Sequence, residues 1–220
     1  MVGYALCCGA PSISCARAWV HQQTLYQLSI YFPFKTIMNE HNLPIRIISK
    51  VVRGYGRGSK ELGIPTANVS RDDISCSMSF DHLPTGIYWG FGRIVDLDGG
   101  SDDEDSVLGK VHTAAISIGY NPTYNNKEKT IEPHLIATAS HPQRHASSTK
   151  ETLFQDFYDK TIILSVVGYL RPELPFEGLE QLTAAIKKDI VDAENLAGES
   201  NSTTNKEREW VQSSTGKDIL

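Results

Sequence analysis

The sequence has few cysteines, no long apolar run and no excess of positive charge. Cys7, Cys8 and Cys15 lie close to the N-terminus and Cys76 stands alone, so neither a disulfide framework nor a CxxC zinc site is indicated. A reduced compartment is the default. No stretch approaches the ~20 apolar residues of a membrane span. The net charge of −5 argues against a nucleic-acid binder, which usually has a basic face. We therefore expect neither a membrane nor a nucleic acid as partner.

Acidic residues are missing from the first 39 positions, which include Arg17 and Lys35. Acid-poor N-termini can be organelle-targeting peptides, but the basic residues here are too few to make that convincing. We interpret residues 1–42 as an extension, either a transit peptide or the product of a misassigned start codon. We expect a barrel domain over 43–197 and a polar tail over 198–220. The expected state is a cytoplasmic monomer, with a mitochondrial location as the alternative.

Residues 54–68 form a glycine-rich segment with two cations, Arg57 and Lys60. Glycines at alternate positions let successive N–H groups form a concavity that favours phosphates. The spacing G-x-G-x-G fits neither a P-loop nor a dinucleotide-binding fingerprint. The segment therefore predicts a nucleotide phosphate site of another kind, whereas a glycine-rich turn without function is the alternative.

Thr66 and Asn68 end this segment. Pro65 favours an extended backbone before it, so residues 66–69 are predicted to form a short strand. In a strand, residues i and i+2 point to the same side, which would place a hydroxyl and an amide oxygen next to each other. Hard, neutral oxygen ligands of this kind suit Mg²⁺ that also binds substrate phosphates.

The rest of the chain predicts a mainly β domain. Strands are expected at 45–53, 86–95, 107–119, 130–137 and 161–170, with a hairpin around the acidic tip between the second and the third. Without βαβ alternation, this pattern indicates a sandwich or a small barrel. Apolar residues at helical spacing predict one closing helix over 177–196, whose stripe we assign to core packing alone. Residues 140–149 are interpreted as a loop insertion.

Glu132 and His134 flank Pro133 and should share one side of a strand. Pro133 lacks an N–H, which favours a position on an edge strand or at the rim of a site. A carboxylate there could accept a proton from a substrate hydroxyl that attacks phosphorus. A surface glutamate on an edge strand is the alternative interpretation.

Ordered motifs over residues 45–196 resemble those of riboflavin kinases of the monofunctional eukaryotic type. The motifs, in chain order, are Pro65-Thr66-Ala67-Asn68, Gly86-Ile87-Tyr88, Ser117-Ile118-Gly119 with Asn121-Pro122, Glu132 with His134, Phe157-Tyr158, and Val167-Gly168-Tyr169-Leu170-Arg171-Pro172-Glu173. The resemblance implies a six-stranded antiparallel Greek-key barrel with a C-terminal helix. It also implies transfer of the ATP γ-phosphate to the ribityl 5′-hydroxyl of riboflavin.

The same resemblance implies roles for individual residues. Glu132 would be the catalytic base, and Thr66 with Asn68 would hold Mg²⁺, with Zn²⁺ or Mn²⁺ as alternatives. The remaining site residues would be Gly54, Lys60, Thr66 and Tyr158 for ATP, and Arg171, Leu174 and Phe176 for the flavin. An adenylyltransferase domain would not fit into the ~44 residues before the barrel, so FAD synthesis is not expected.

Two other function classes compete with the kinase. A non-catalytic barrel that binds a flavin or a nucleotide would tolerate loss of Glu132 and of the Thr66/Asn68 pair, yet the chain has all three. A nucleic-acid-binding barrel is disfavoured by the negative charge and by the lack of a basic, aromatic face.

Overall fold

Seven strands and two α-helices make up the part of the chain that the computed structural model describes, which is residues 41–54, 66–96, 108–122, 125, 127–137 and 157–215. The strands are β1 (Ile45–Val52), β2 (Asn68–Val69), β3 (Ser75–Cys76), β4 (Gly86–Val95), β5 (His112–Gly119), β6 (Thr130–Leu135) and β7 (Thr161–Arg171). The helices are α1 (Leu179–Gly198) and α2 (Ser202–Ser213).

The strands form one antiparallel sheet in the order β2-β1-β7-β4-β5-β6, with β3 paired to β1. β4, β5 and β6 are consecutive neighbours, and β7 returns to lie beside β4, which is the strand order of a Greek key. The two ends of the sheet meet where the N–H of Ala67 donates to the carbonyl of Pro133 at 2.9 Å. The sheet is therefore a nearly closed barrel, which confirms the predicted fold class. Its seam lies between β2 and β6 and was not predicted.

Side chains from alternate strand positions fill the barrel interior. Tyr88, Ile116, Ile131 and Leu164 belong to the inner cluster and are fully buried. The neighbouring positions face outward, where Trp89, Phe91 and Ile163 form a second cluster with residues of the helices. The barrel is thus a packed core rather than a binding cavity, and a ligand site must lie outside it.

Helix α1 packs its apolar stripe on this outer face through Ile190 and Ala193, which are fully buried. The sequence predicted this helix at nearly the observed position. Its first residue, Leu179, is 58% exposed, so the stripe leaves the sheet surface towards the N-terminal end of the helix. The end that diverges from the sheet creates room between helix and barrel.

Helix α2 lies within the segment that was expected to be a polar tail. Its Glu207 is 2% exposed and accepts two hydrogen bonds from Arg46, at 2.9 and 3.0 Å, and one from Ser165 at 2.8 Å. Arg93 donates to the carbonyl of Val211 at 2.8 Å. The structure therefore has two helices where the sequence indicated one, and the second is attached both by these charged groups and by the fully buried Val211.

Other boundaries differ from the expected ones for local reasons. β5 begins at His112 because Leu108 and Gly109 form a turn, in which Gly109 has a φ of 82°. β3 has only two residues and was not predicted. The 140–149 insertion and most of the 1–42 extension lie outside the described residues, so the proposed domain limits stay predictions. In the described residues, no helix is long and apolar enough to cross a membrane.

Candidate active site

A pocket of about 120 Å³ lies on the outer face of β4–β6, below the N-terminal half of α1. It combines carboxylates, one arginine and an apolar wall. The lining residues are Thr66, Ile87, Ala115, Ile116, Ser117, Asn121, Pro122, Glu132, His134, Arg171, Glu173, Leu174, Phe176, Leu182, Ile186 and Asp189. Five residues predicted for the site therefore lie around one pocket: Thr66, Glu132, Arg171, Leu174 and Phe176.

The barrel seam brings Thr66 and Glu132 together. Ala67 and Val69 point into the core, so Thr66 and Asn68 take the opposite side, as their spacing predicted. On β6, Ile131 and Leu135 are core residues, whereas Glu132 and His134 line the pocket. The hydrogen bond between Ala67 and Pro133 then fixes the two outward-facing pairs side by side. Pro133 lies on the last strand of the sheet order, which confirms its predicted edge position.

Glu132 has a defined orientation within β6. The hydroxyl of Thr130, two residues earlier on the same side of the strand, donates to its Oε1 at 2.9 Å. Glu132 lies opposite Ser117 in the β5–β6 register, and Ser117 also lines the pocket. The half-buried carboxylate is thus held in one orientation at the pocket wall.

Arg171, at the end of β7, is fixed by Asp189 of α1. Its Nε and one terminal nitrogen donate to the two carboxylate oxygens of Asp189 at 2.8 and 2.7 Å. Asp189 is 5% exposed, and this burial raises the pKa of its carboxyl above the ordinary value of 3.8, although the Arg171 guanidinium opposes the shift. Such bidentate pairing fixes the guanidinium plane. Phe176 lies against the same guanidinium, with its ring centroid 5.6 Å away.

Of the residues predicted for ATP, Thr66 lines the pocket, whereas Gly54 and Tyr158 form a neighbouring group outside its wall. A Cβ at Gly54 would overlap the Asn68 side chain, so the absence of a side chain at Gly54 lets the amide of Asn68 pack on the backbone. Tyr158 carries the guanidinium of Arg53 over its ring at 4.6 Å. The N–H of Asp159 donates to the carbonyl of Val51 at 2.8 Å and keeps the two segments together. Lys60 and most of the glycine-rich segment lie outside the described residues.

Thr66 and Asn68 fit the divalent metal that was predicted for them. Their oxygens are hard and neutral, and the packing of Asn68 against Gly54 restricts the position of its amide. Among the described residues there is no group of three or more His, Cys, Asp or Glu side chains that could hold a metal by themselves. Two neutral oxygen donors would leave the other coordination positions of a metal to substrate phosphates and water.

Several pocket residues were not singled out from the sequence. Asp189 and Glu173 contact partners that are distant in the chain, and no local pattern indicates such contacts. Leu182 and Ile186 belong to the apolar stripe of α1, which was assigned to core packing with no catalytic role. Ile186 does pack against the outer cluster, and both residues also line the pocket. The exposure of Leu179 at the start of the stripe explains the difference.

Comparison with known proteins identifies the family. A family model described as riboflavin kinase (flavokinase) matches residues 41–197. Riboflavin kinase from Mus musculus is 37% identical over 180 residues, which cover 80% of this chain and 96% of the mouse protein. Riboflavin kinase from Homo sapiens is 39% identical over 156 residues, covering 69% of this chain and 80% of the human protein.

A solved structure supports the fold independently. The crystal structure of riboflavin kinase from Trypanosoma brucei superposes with a TM-score of 0.52 at 21% identity, covering 80% of this chain and 93% of the trypanosomal chain. At this identity the likeness speaks for the barrel architecture alone. Taken with the family match and the two mammalian relatives, it leads to one conclusion: this chain belongs to the riboflavin kinase family.

Proposed function

We propose that this chain transfers the γ-phosphate of ATP to the ribityl 5′-hydroxyl of riboflavin, giving FMN and ADP. One observation carries the proposal beyond family membership. The barrel seam places an outward-facing hydroxyl, Thr66, beside an oriented carboxylate, Glu132, in a pocket whose other wall is apolar and carries one arginine. Phosphoryl transfer to an alcohol needs a proton acceptor and a phosphate-binding element next to each other, and Glu132 and Thr66 are our candidates for these two roles.

Glu132 is proposed as the catalytic base. Its carboxylate accepts the proton of the 5′-hydroxyl while the hydroxyl oxygen forms a bond to the γ-phosphorus and the bond to the β-phosphate oxygen breaks. Thr130 keeps the carboxylate aligned through its hydrogen bond at 2.9 Å. Because phosphoryl transfer depends largely on positioning, this alignment contributes directly to the rate.

The nucleotide side of the site is assigned to residues of the glycine-rich segment and to Tyr158. Gly54, Lys60, Thr66 and Tyr158 are proposed to bind ATP. Thr66 and Asn68 would hold the divalent ion, Mg²⁺ in the first place and Mn²⁺ or Zn²⁺ as alternatives. When bound, that ion neutralises phosphate charge and orients the γ-phosphate. The cation–π contact between Arg53 and Tyr158 fixes the ring of Tyr158 next to Gly54.

The acceptor side is assigned to the segment that follows β7. Arg171, Leu174 and Phe176 are proposed to contact the flavin, and they line the pocket with Leu182 and Ile186 of α1. An apolar wall suits a flat aromatic ring system, whereas the polar floor around Glu132 suits the ribityl hydroxyls. The charge pair with Asp189 keeps the guanidinium of Arg171 at the pocket edge.

The decisive experiment is an assay with the purified full chain. Riboflavin, ATP and Mg²⁺ should yield FMN and ADP, separated by chromatography and detected by flavin fluorescence. A folded chain that binds flavin or nucleotide but forms no FMN would support the competing non-catalytic barrel. Replacing Mg²⁺ by Mn²⁺ or Zn²⁺ in the same assay identifies the preferred ion. The cytoplasmic or mitochondrial location and the monomeric state are proposals that fractionation and size-exclusion chromatography test.

A further inference from the structure

We propose that Glu173 is a positioning residue that fixes the acceptor-side segment 171–176 to the loop after β5. We call this contact the Glu173 clamp, defined by the Glu173 carboxylate and the backbone N–H groups of Tyr120 and Asn121. The inference rests on the proposed riboflavin kinase activity and adds to it a residue that acts through its neighbours Arg171 and Leu174.

The clamp is a two-point contact. Oε2 of Glu173 accepts from the N–H of Tyr120 at 3.0 Å, and Oε1 accepts from the N–H of Asn121 at 2.9 Å. Asn121 has a φ of 48°, in the left-handed region. Consecutive N–H groups in such a turn form an anion-binding concavity, and here a carboxylate of the same chain occupies it. Hydrogen bonds to an ionised acceptor are stronger than those between neutral groups.

Gly119 makes room for the clamp. A Cβ at this position would overlap the Glu173 side chain, and the three atoms nearest to it are the carboxylate carbon and both its oxygens. Gly119 ends β5 and pairs with Thr130 of β6, the residue that donates to Glu132. The clamp therefore attaches the acceptor-side segment to the strand pair that carries the base.

The clamp and the Arg171–Asp189 pair hold the segment at two points. Arg171 is tied to α1, on one side of the pocket, and Glu173 is tied to the loop after β5, on the other. Leu174 follows directly and is 47% exposed, so few contacts within the protein would restrain it without the clamp. Loss of the clamp should weaken riboflavin binding. ATP binding should change little, because Gly54 and Tyr158 do not line this pocket and Thr66, which does, is held at the β2–β6 seam.

A double-mutant cycle between Gly119 and Glu173 tests the clamp. Glu173→Ala removes the acceptor, and Gly119→Ala displaces the carboxylate while leaving it chemically intact. Each should raise the KM for riboflavin about tenfold, as expected for loss of hydrogen bonds to a charged group. The KM for ATP should stay within about twofold. The double variant should bind riboflavin no worse than Glu173→Ala alone, because the overlap disappears with the carboxylate.

Two further variants and two further measurements complete the design. Glu173→Gln keeps one acceptor oxygen and should fall between wild type and Glu173→Ala. Glu177→Gln, which removes an exposed carboxylate four residues away, should match wild type. Thermal unfolding reports whether each variant folds. If Glu173→Ala does not fold, the Gly119→Ala and Glu173→Gln variants test the clamp in its place. The riboflavin Kd, from quenching of flavin fluorescence, measures the clamp without turnover.

The outcomes separate the clamp from the kinase activity. A riboflavin KM and Kd within twofold of wild type in folded Glu173→Ala would overturn the clamp, as would fully additive effects in the double variant. Wild-type protein that forms no FMN but loses riboflavin affinity on Glu173→Ala would overturn the kinase proposal and support the clamp. A wild-type chain that binds no riboflavin would overturn both.

Discussion

The hydroxyl of Thr130 donates a hydrogen bond of 2.9 Å to Oε1 of Glu132, two residues further along β6. The two side chains share one side of the strand because successive residues of a strand alternate in direction. This hydrogen bond between near neighbours on one strand orients the carboxylate. It also ties the geometry of the proposed base to the backbone of the edge strand.

Thr130→Val removes this hydroxyl and keeps the shape of the side chain. Because a hydrogen bond to a charged group contributes about 1.5–3 kcal/mol, kcat should fall about tenfold or more while both KM values change little. Steady-state FMN formation measures the effect. Thr130→Ser, which keeps the hydroxyl, is the matched control and should retain most activity. Equal losses in the two variants would show that the hydroxyl does not position the base.

Glu132→Gln removes the proposed base with almost no change in volume. Turnover should fall by about 10²–10⁴-fold, the range for loss of a general base, with nucleotide affinity preserved. Single-turnover FMN formation and calorimetric titration with an ATP analogue measure the two quantities. Glu128→Gln, in the exposed loop before β6, is the control and should behave as wild type. Full activity in Glu132→Gln would refute the assignment of the base.

Asn68→Leu removes the proposed amide ligand and keeps the approximate bulk that packs against Gly54. The Mg²⁺ concentration for half-maximal activity should rise about tenfold or more, the usual effect of losing an oxygen donor from a weak, water-rich site. Titration of activity with Mg²⁺ at saturating ATP measures the shift. Asn68→Asp, which keeps an oxygen donor, should need less metal than the leucine variant. An unchanged metal requirement in Asn68→Leu would exclude Asn68 as a ligand.

Asp189→Asn tests the pH dependence of stability that the buried Asp189 carboxyl should produce. Burial raises its pKa, so in mild acid the native state binds this proton more tightly than the unfolded chain does. The contribution of Asp189 to the free energy of unfolding therefore falls as the pH rises above 3.8. The amide in the variant cannot ionise. Relative to that variant, the wild type should lose stability as the pH rises above about 4, measured by urea unfolding. A relative gain would show that the attraction of Arg171 outweighs burial.

Glu207→Ala tests how α2 is attached to the barrel. The substitution leaves Arg46 and Ser165 without their shared acceptor and should lower the free energy of unfolding by about 3 kcal/mol. Urea unfolding measures the change. Replacing the pair by Arg46→Met with Glu207→Leu should recover most of the loss, because apolar side chains carry no unpaired charge. Glu209→Ala, on the exposed side of α2, is the control. A double variant as unstable as Glu207→Ala would contradict this account.

The long strands and α1 were predictable because their patterns are local. β-branched residues in β1 and helical spacing in α1 indicate their structure without knowledge of tertiary contacts. α2 carries few apolar residues besides Trp210 and Val211, and its attachment relies on Glu207, whose partners lie on β1 and β7. β3 is too short for any periodic pattern. Such elements depend on the assembled barrel and were missed for that reason.

The candidate site was also predictable only in part. Alternation placed Thr66 with Asn68 and Glu132 with His134, and the structure bears out this part of the prediction. The two pairs lie close together because the seam joins strands that are far apart in sequence. The residue spacing does not predict this proximity, whereas the family resemblance implied it by assigning both pairs to one site. Asp189 and Glu173 acquire their partners through packing of α1 and of the loop after β5. A charged residue on a helix or in a loop gives no local sign of such a partner.

The separation of barrel interior and pocket has an evolutionary consequence. Tyr88 and Leu164 fill the interior, whereas the proposed flavin contacts Arg171, Leu174 and Phe176 line the pocket and belong to neither core cluster. Substitutions at these three positions therefore leave the residues of the barrel core untouched. A lineage could drift in acceptor preference, or lose catalysis and keep ligand binding, while the same scaffold persists. The architecture makes specificity and fold separately selectable traits.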